Sequence, residues 1–110
     1  MLLSELFEQV LERPAMYVGQ ESVVRISAFV EGYWYAKWAC GEDVRDDLYR
    51  GFTAWTAKRF RIESAHSWED IILFMALGES RAYEMTVELW GEYKAQYQAR
   101  ARKRKSARKR

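Results

Sequence analysis

The sequence predicts an all-α fold, a single compact bundle of about five helices, and three observations lead to this prediction. A chain of 110 residues has room for one hydrophobic core. It contains one Pro and six Gly, too few turn-forming residues for a sandwich of many short strands. Its apolar residues recur at three- and four-residue spacing, the period of amphipathic helices, rather than in strict alternation.

The first helix is predicted from the spacing of Leu6, Phe7 and Val10. Pro14 ends it, because proline disfavours helical geometry in the residue before it. Residues 15–21 are then expected to form a connection without a helix.

The second helix is expected to begin after Ser22, a good N-cap residue, and to run to about Cys40, with Gly41 as the C′ residue. Apolar side chains cover two sides of this segment. A helix that is apolar on most of its circumference is normally central. We therefore place it in the middle of the bundle and expect burial of Ile26, Phe29 and Trp34.

Three more helices complete the prediction. Asp43 is the expected N-cap of the third, and Phe52 lies on its apolar face. Residues 67–70 match a capping pattern ahead of a short buried helix over residues 71–77. Ser80 is expected to cap the last helix, one side of which carries Tyr83, Val87, Trp90, Tyr93 and Tyr97.

Charge divides the chain into a helical domain, residues 1–99, and a basic tail, residues 100–110. All 16 acidic residues and ten of the 18 basic residues lie in the domain, so its formal charge is −6. The tail carries no acidic residue and a charge of +8. A block of like charges is expected either to be disordered or to extend the last helix.

The tail suggests one function, the sequence-independent binding of nucleic acid phosphates. It contains no aromatic residue that would stack on a base. The residues expected to contact phosphate are Arg100, Arg102, Lys103, Arg104, Lys105, Arg108, Lys109 and Arg110.

Enzymatic chemistry has little support in the composition. His66 is the single histidine, and it lies near Ser64 and Ser67, but a catalytic triad is assembled from distant segments. Cys40 is the single cysteine, and we expect it to pack as a buried hydrophobe on the second helix. The predictions are no enzyme, no cofactor and no metal site.

Acidic residues suggest a different function, the binding of a basic protein partner. The pairs Glu42-Asp43 and Asp46-Asp47 are expected to cap the third helix, where a helix dipole favours negative charge. On the last helix, acidic residues recur every four positions and form either a solvated face or a docking strip. The expected protein-binding residues are Glu84, Glu88, Glu92, Asp46 and Asp47.

Five segments together resemble a group of short helical bacterial proteins, some of which look like immunity proteins encoded beside polymorphic toxins. The resemblance covers roughly residues 5–97 and excludes the tail. It implies a toxin-neutralising protein-binding module and carries over no catalytic residue. The segments are Arg13-Pro14-Ala15-Met16-Tyr17-Val18-Gly19, Gly32-Tyr33, Arg59-Phe60, Ser67-Trp68 and Ile71-Ile72-Leu73-Phe74.

Two function hypotheses therefore stand. The first is a non-enzymatic protein-binding module, specifically an immunity-like inhibitor. The alternative is a small accessory protein that binds nucleic acid or ribonucleoprotein through the basic tail. The first residues are acidic where a secretory signal is basic, and the longest apolar run is far shorter than a membrane span, so we expect a cytoplasmic protein without membrane contact.

Overall fold

The computed structural model describes residues 1–63 and 66–108, which contain six helices and no strand. The predicted all-α class is confirmed, but the helix count is six rather than about five. In chain order the helices are α1 (Leu3–Glu12), α2 (Pro14–Val18), α3 (Val23–Ala39), α4 (Asp47–Arg59), α5 (Trp68–Ala76) and α6 (Glu79–Arg108).

The additional helix, α2, lies where the sequence predicted a connection. Pro14 occupies its first turn, where the missing N–H is no loss and the fixed φ favours a helix. Gly19 ends it with a φ of +87°. The same proline that ends α1 therefore begins α2.

The ends of α3 are as predicted, whereas those of the later helices differ. The Ser22 hydroxyl accepts a hydrogen bond from the Arg25 amide, and Gly41 has the expected positive φ. The predicted cap Asp43 is wrong, because Asp46 caps α4 by accepting from the Tyr49 amide at 3.1 Å. The same Asp46 carboxylate accepts from the Ser4 amide at 2.8 Å, a contact between distant segments that the sequence does not reveal.

Two further caps differ from prediction. Ser67 lies at the N-cap position of α5, but its hydroxyl donates to Glu69 rather than capping a backbone amide. The predicted cap Ser80 is wrong, because α6 already begins at Glu79. The helix predicted over residues 71–77 runs from Trp68 to Ala76, and Leu77 follows it with a φ of +61°. Of the predicted buried segment only Ile71 and Ile72 are buried, while Phe74 and Leu77 are exposed.

The core is built around aromatic rings from four helices. Phe52 of α4 lies 5.1 Å from Trp90, 5.5 Å from Tyr93 and 5.6 Å from Trp68, measured between ring centroids. Phe7 of α1 lies 4.8 Å from Trp90. These five side chains are buried, and they join α1, α4, α5 and α6 into one body.

The prediction that the second helix is central holds for only one half of α3. Ile26 is fully buried, but Phe29 is exposed, Trp34 is half-buried and Trp38 is 56% exposed. At 1.5 Å per residue α3 is about 25 Å long and α1 about 15 Å. The Met1 carbonyl, ahead of α1, accepts hydrogen bonds from Tyr33 and Lys37 near the end of α3. The apolar stripe near its end faces solvent instead of a core.

The last helix continues into the segment predicted as a tail. Its buried residues lie between Ala82 and Tyr93, and beyond these the helix extends from the bundle. The side expected to be apolar is only partly buried, because Val87 is exposed and Thr86 is buried. Residues 100–108 are thus an extension of α6 rather than a separate tail, while Lys109 and Arg110 lie outside the described residues.

None of the helices in the described ranges combines the length and apolar character required to cross a membrane.

Close packing between α4 and α6 depends on the absence of a side chain at Gly51. A Cβ there would lie 2.4 Å from the hydroxyl oxygen of Tyr93, a buried side chain held in place by its hydrogen bond to the Leu48 carbonyl. We expect Gly51→Ala to lower the free energy of unfolding by about 1–3 kcal/mol through overpacking, despite the better helix propensity of alanine. Adding Tyr93→Phe removes the clashing oxygen and is expected to restore part of this loss in denaturant titrations. Equal stability of Gly51→Ala and the unchanged chain would contradict this close approach.

Candidate functional site

A groove of about 550 Å³ lies between α4 and the extension of α6. We call it the α4–α6 groove. Its lining combines cationic and aromatic side chains with several small residues: Asp47, Gly51, Ala54, Trp55, Lys58, Tyr93, Tyr97, Arg100, Ala101, Arg104, Lys105 and Arg108.

One side of the groove is a single face of α4. Its residues are spaced four, three, one and three positions apart, which places them on one side of a helix. Gly51 and Ala54 are small and leave space at the middle of this face, while Trp55 and Lys58 supply a ring and a cation. This spacing is visible in the sequence, but it is equally typical of a helix face that packs against a neighbouring helix.

The other side is one face of the α6 extension, and it divides the basic segment in two. Tyr97, Arg100, Arg104 and Arg108 follow at three- and four-residue spacing and line the groove together with Lys105. At about 100° of rotation per residue, Arg102 and Lys103 lie on the opposite side of the helix. Only part of the predicted phosphate-binding set therefore faces the groove.

Three aromatic rings connect the two sides. Trp55 and Tyr93 lie 5.5 Å apart between centroids, and Tyr93 and Tyr97 lie 6.1 Å apart. The Trp55 indole N–H donates to Gln96 at 2.9 Å, which fixes the ring relative to α6. Burial, followed by the nearby Tyr97, Asp46 and Asp47, raises the pKa of Tyr93 to about 12, so its hydroxyl stays neutral and donates to the Leu48 carbonyl.

The groove carries a net positive charge. Five cationic side chains line it against one carboxylate, Asp47. In the part of the chain that the structure describes, none of these five cations forms a salt bridge. Their charge is consequently available to an external anion.

The acidic residues expected to bind a protein are only partly available. On α6, Glu84 and Glu88 lie 3.2 Å and 3.8 Å from Arg81, and Glu92 lies 3.3 Å from Arg59. The expectation that Asp46 presents its charge at the surface is wrong, because Asp46 is buried as the α4 cap. Its neighbour Asp47 lies in the α4–α6 groove instead.

The other acidic pair, Glu42-Asp43, lies ahead of α4. Both residues are exposed. Asp43 accepts hydrogen bonds from the side chain and the amide of Arg45, which lower the pKa of its carboxyl to about 2.

The residues considered for catalysis do not come together. His66 is largely exposed, with its Nδ1 atom 3.9 Å from Asp70, and Ser67 donates to Glu69. Ser64 lies outside the described residues. The prediction that Cys40 is buried is wrong, because it follows the exposed last turn of α3. Within residues 1–63 and 66–108, no group of three or more potential ligands is placed to hold a metal ion.

Comparisons with protein-family models, curated proteins and solved structures found no match to this chain. The resemblance to immunity-like bacterial proteins stays a prediction. Functional inference therefore depends on the groove and the exposed surfaces.

Sequence reasoning missed the groove because its aromatic and cationic parts lie far apart in the chain. Trp55 and Lys58 belong to α4, more than forty positions before Arg100. The available signal was the helical spacing from Tyr97 to Arg108, which would have separated the inward cations from Arg102 and Lys103.

Proposed function

We propose that this protein binds nucleic acid through the α4–α6 groove, without catalysing a reaction. The observation that supports the proposal is a set of five cations, without a salt bridge to any described residue, that line a groove also containing aromatic rings. Cations that neutralise phosphates provide most of the affinity in sequence-independent binding. Aromatic rings beside a basic groove are typical of proteins that bind nucleic acid strands.

The cations are arranged for contact with successive phosphates. Arg100, Arg104 and Arg108 are four residues apart on one face, which separates them by about 6 Å along the helix axis. A guanidinium group donates in a planar fork that matches phosphate oxygens. Lys58, across the groove on α4, adds a cation on the other side.

The charge distribution favours this function over acidic docking on α6. The groove cations have no protein partner among the described residues, whereas the carboxylates of α6 have Arg81 and Arg59 beside them. Exposed ion pairs contribute only about 0–1 kcal/mol, but each arginine still offsets part of the charge of the carboxylate beside it. The nucleic acid hypothesis therefore moves ahead of the acidic-strip hypothesis.

The test compares inward with outward cations. We expect Arg104→Gln with Arg108→Gln to weaken binding of a fluorescent oligonucleotide by roughly 10- to 100-fold, which corresponds to about 0.7–1.4 kcal/mol for each exposed cation. The matched control, Arg102→Gln with Lys103→Gln, removes the same charge from the opposite side and is expected to cost much less. Affinity measured at several salt concentrations should show a shallower salt dependence only for the inward pair.

Two outcomes would overturn the proposal. Equal losses from the two double variants would show that net charge matters and the groove does not. A full chain that binds no oligonucleotide at about 50 mM salt, where phosphate contacts are strongest, would exclude the function altogether.

A second candidate function, binding a protein partner, is favoured by an exposed aromatic surface on α3. Trp34 and Trp38 stack in parallel at 6.2 Å, and Tyr35 and Trp38 are 61% and 56% exposed. Exposed aromatic clusters of this kind are common at the centres of protein interfaces. This surface replaces the acidic strip of α6 as the basis for the immunity-like hypothesis.

The chemistry beside this surface favours a cationic partner. Glu31 lines a cleft with Trp34, Tyr35 and Tyr49. Glu31 is exposed overall, but partial loss of solvent around its carboxyl raises its pKa, and the negative charges of Glu69 and Asp70 raise it further. A lysine or arginine side chain inserted between the rings would relieve this repulsion and contact the ring faces. Such binding would not involve residues 100–110.

A further inference from the structure

We infer that the α4–α6 groove selects unpaired strands, whose bases stack on Tyr97 and Trp55. This inference rests on the proposed function and adds the class of nucleic acid to it. Phosphate contacts alone do not distinguish a duplex from a single strand. The rings inside the groove provide that distinction, because only an unpaired base has a free face for stacking.

Tyr97 is the ring most available to a ligand. It is 37% exposed, and it precedes Arg100 by one helical turn on the same face of α6. A base stacked on this ring would therefore have a cation nearby for its phosphate. Beyond Tyr97, the lining of α6 continues with Ala101, whose methyl group leaves space for a base.

Trp55 provides the second stacking surface and is held in place before any ligand binds. Its ring lies nearly parallel to Phe52, at 6.2 Å and 17°, and its N–H is bound to Gln96. A ring that is already fixed loses little conformational entropy when a base stacks on it. The small residues Gly51 and Ala54 keep the adjoining part of the groove open.

The groove is too small to enclose a double helix. Its volume of about 550 Å³, bounded by two helices, has room for bases or a single strand. A duplex would contact only the outer rim, through Arg108 and its neighbours. We therefore expect single strands to bind more tightly than a duplex with the same number of phosphates.

The experiment measures the affinity of the full chain for three ligands that contain the same number of phosphates. They are a single strand of thymidines, an abasic strand with the same sugar–phosphate backbone, and a duplex half as long. Stacking is expected to make the thymidine strand bind about 5- to 100-fold more tightly than the abasic strand.

Tyr97→Ala tests whether the preference arises in the groove. We expect this variant to lose most of its preference for the thymidine strand over the abasic strand, while its affinity for the abasic strand changes little. The matched control is Phe74→Ala, which removes a ring that is 73% exposed on α5, outside the groove. Both rings are exposed, so both variants should fold, and circular dichroism checks that they do.

The results separate this inference from the proposed function. If thymidine and abasic strands bind equally, or if the duplex binds as tightly as the single strand, stacking selection is wrong and phosphate binding stands. If Tyr97→Ala lowers the affinity for all ligands equally, the ring maintains the shape of the groove but does not stack on bases, and the inference is again wrong. If no ligand binds at about 50 mM salt, the proposed function fails.

Discussion

Replacing Phe52 with Ala is expected to lower the free energy of unfolding by about 3–5 kcal/mol. The Phe52 ring is fully buried and lies within 6.2 Å of Phe7, Trp55, Trp68, Trp90 and Tyr93, measured between centroids. Removing it leaves a cavity that rings from four helices cannot close without moving. The change is a large fraction of the roughly 5–15 kcal/mol that stabilises a typical domain.

Denaturant titration, followed by tryptophan fluorescence, measures this change. The control is Phe74→Ala, which removes the same atoms from an exposed site and is expected to alter stability by no more than about 0.5 kcal/mol. Similar losses from the two variants would show that Phe52 is not the centre of the core.

Removing residues 100–110 is expected to abolish detectable binding of nucleic acid. The deletion takes away eight cations, four of which line the α4–α6 groove, and leaves a domain with a net charge of −6 that repels phosphate. The loss of several phosphate contacts is expected to reduce affinity by roughly 10³-fold or more at low salt. Stability should change little, because residues 102–108 are exposed and Ala101 is only half-buried.

Titrations of the full chain and residues 1–99, at two salt concentrations, measure this effect. The same pair also separates the two candidate functions. A protein partner bound at Trp34, Tyr35 and Trp38 should bind both forms with nearly equal affinity. Retention of oligonucleotide binding by residues 1–99 would contradict the assignment of the site to the groove, whereas a lower thermal midpoint would show that the extension stabilises the fold.

The groove and the core are physically connected. Tyr93 is part of both, since its ring packs on Phe52 while its edge lines the groove. Gly51 allows α4 to approach that ring closely. The angle at which α6 leaves the bundle therefore depends on the same contacts that stabilise the domain.

Local features of the sequence were sufficient to predict the helical class and several helix ends. The bounds of α1 and α3 follow from apolar spacing, Pro14, Ser22 and Gly41, because each of these acts on its immediate neighbours in the chain. The split of charge at residue 100 was likewise visible in the composition. Prediction was less successful where two nearby aspartates, Asp43 and Asp46, could each have capped the same helix.

Tertiary structure decided which apolar faces are buried and which charges are paired. Trp38 and Cys40 lie on stripes that resemble a core pattern, yet both are exposed, because burial depends on the length and position of neighbouring helices. Likewise, Glu92 of α6 lies beside Arg59 of α4, a pair that only the completed fold identifies, whereas Glu84 pairs with Arg81 of its own helix.

The sequence by itself therefore determined an all-α domain that ends in a basic segment, since periodicity and net charge are properties of the chain alone. Only the tertiary structure decided that the basic segment continues α6, that its cations divide between two faces, and that Trp55 and Tyr97 lie beside the inward ones. The physical reason is that a binding site depends on distances between residues remote in the chain. Those distances are established by the packing of α4 against α6.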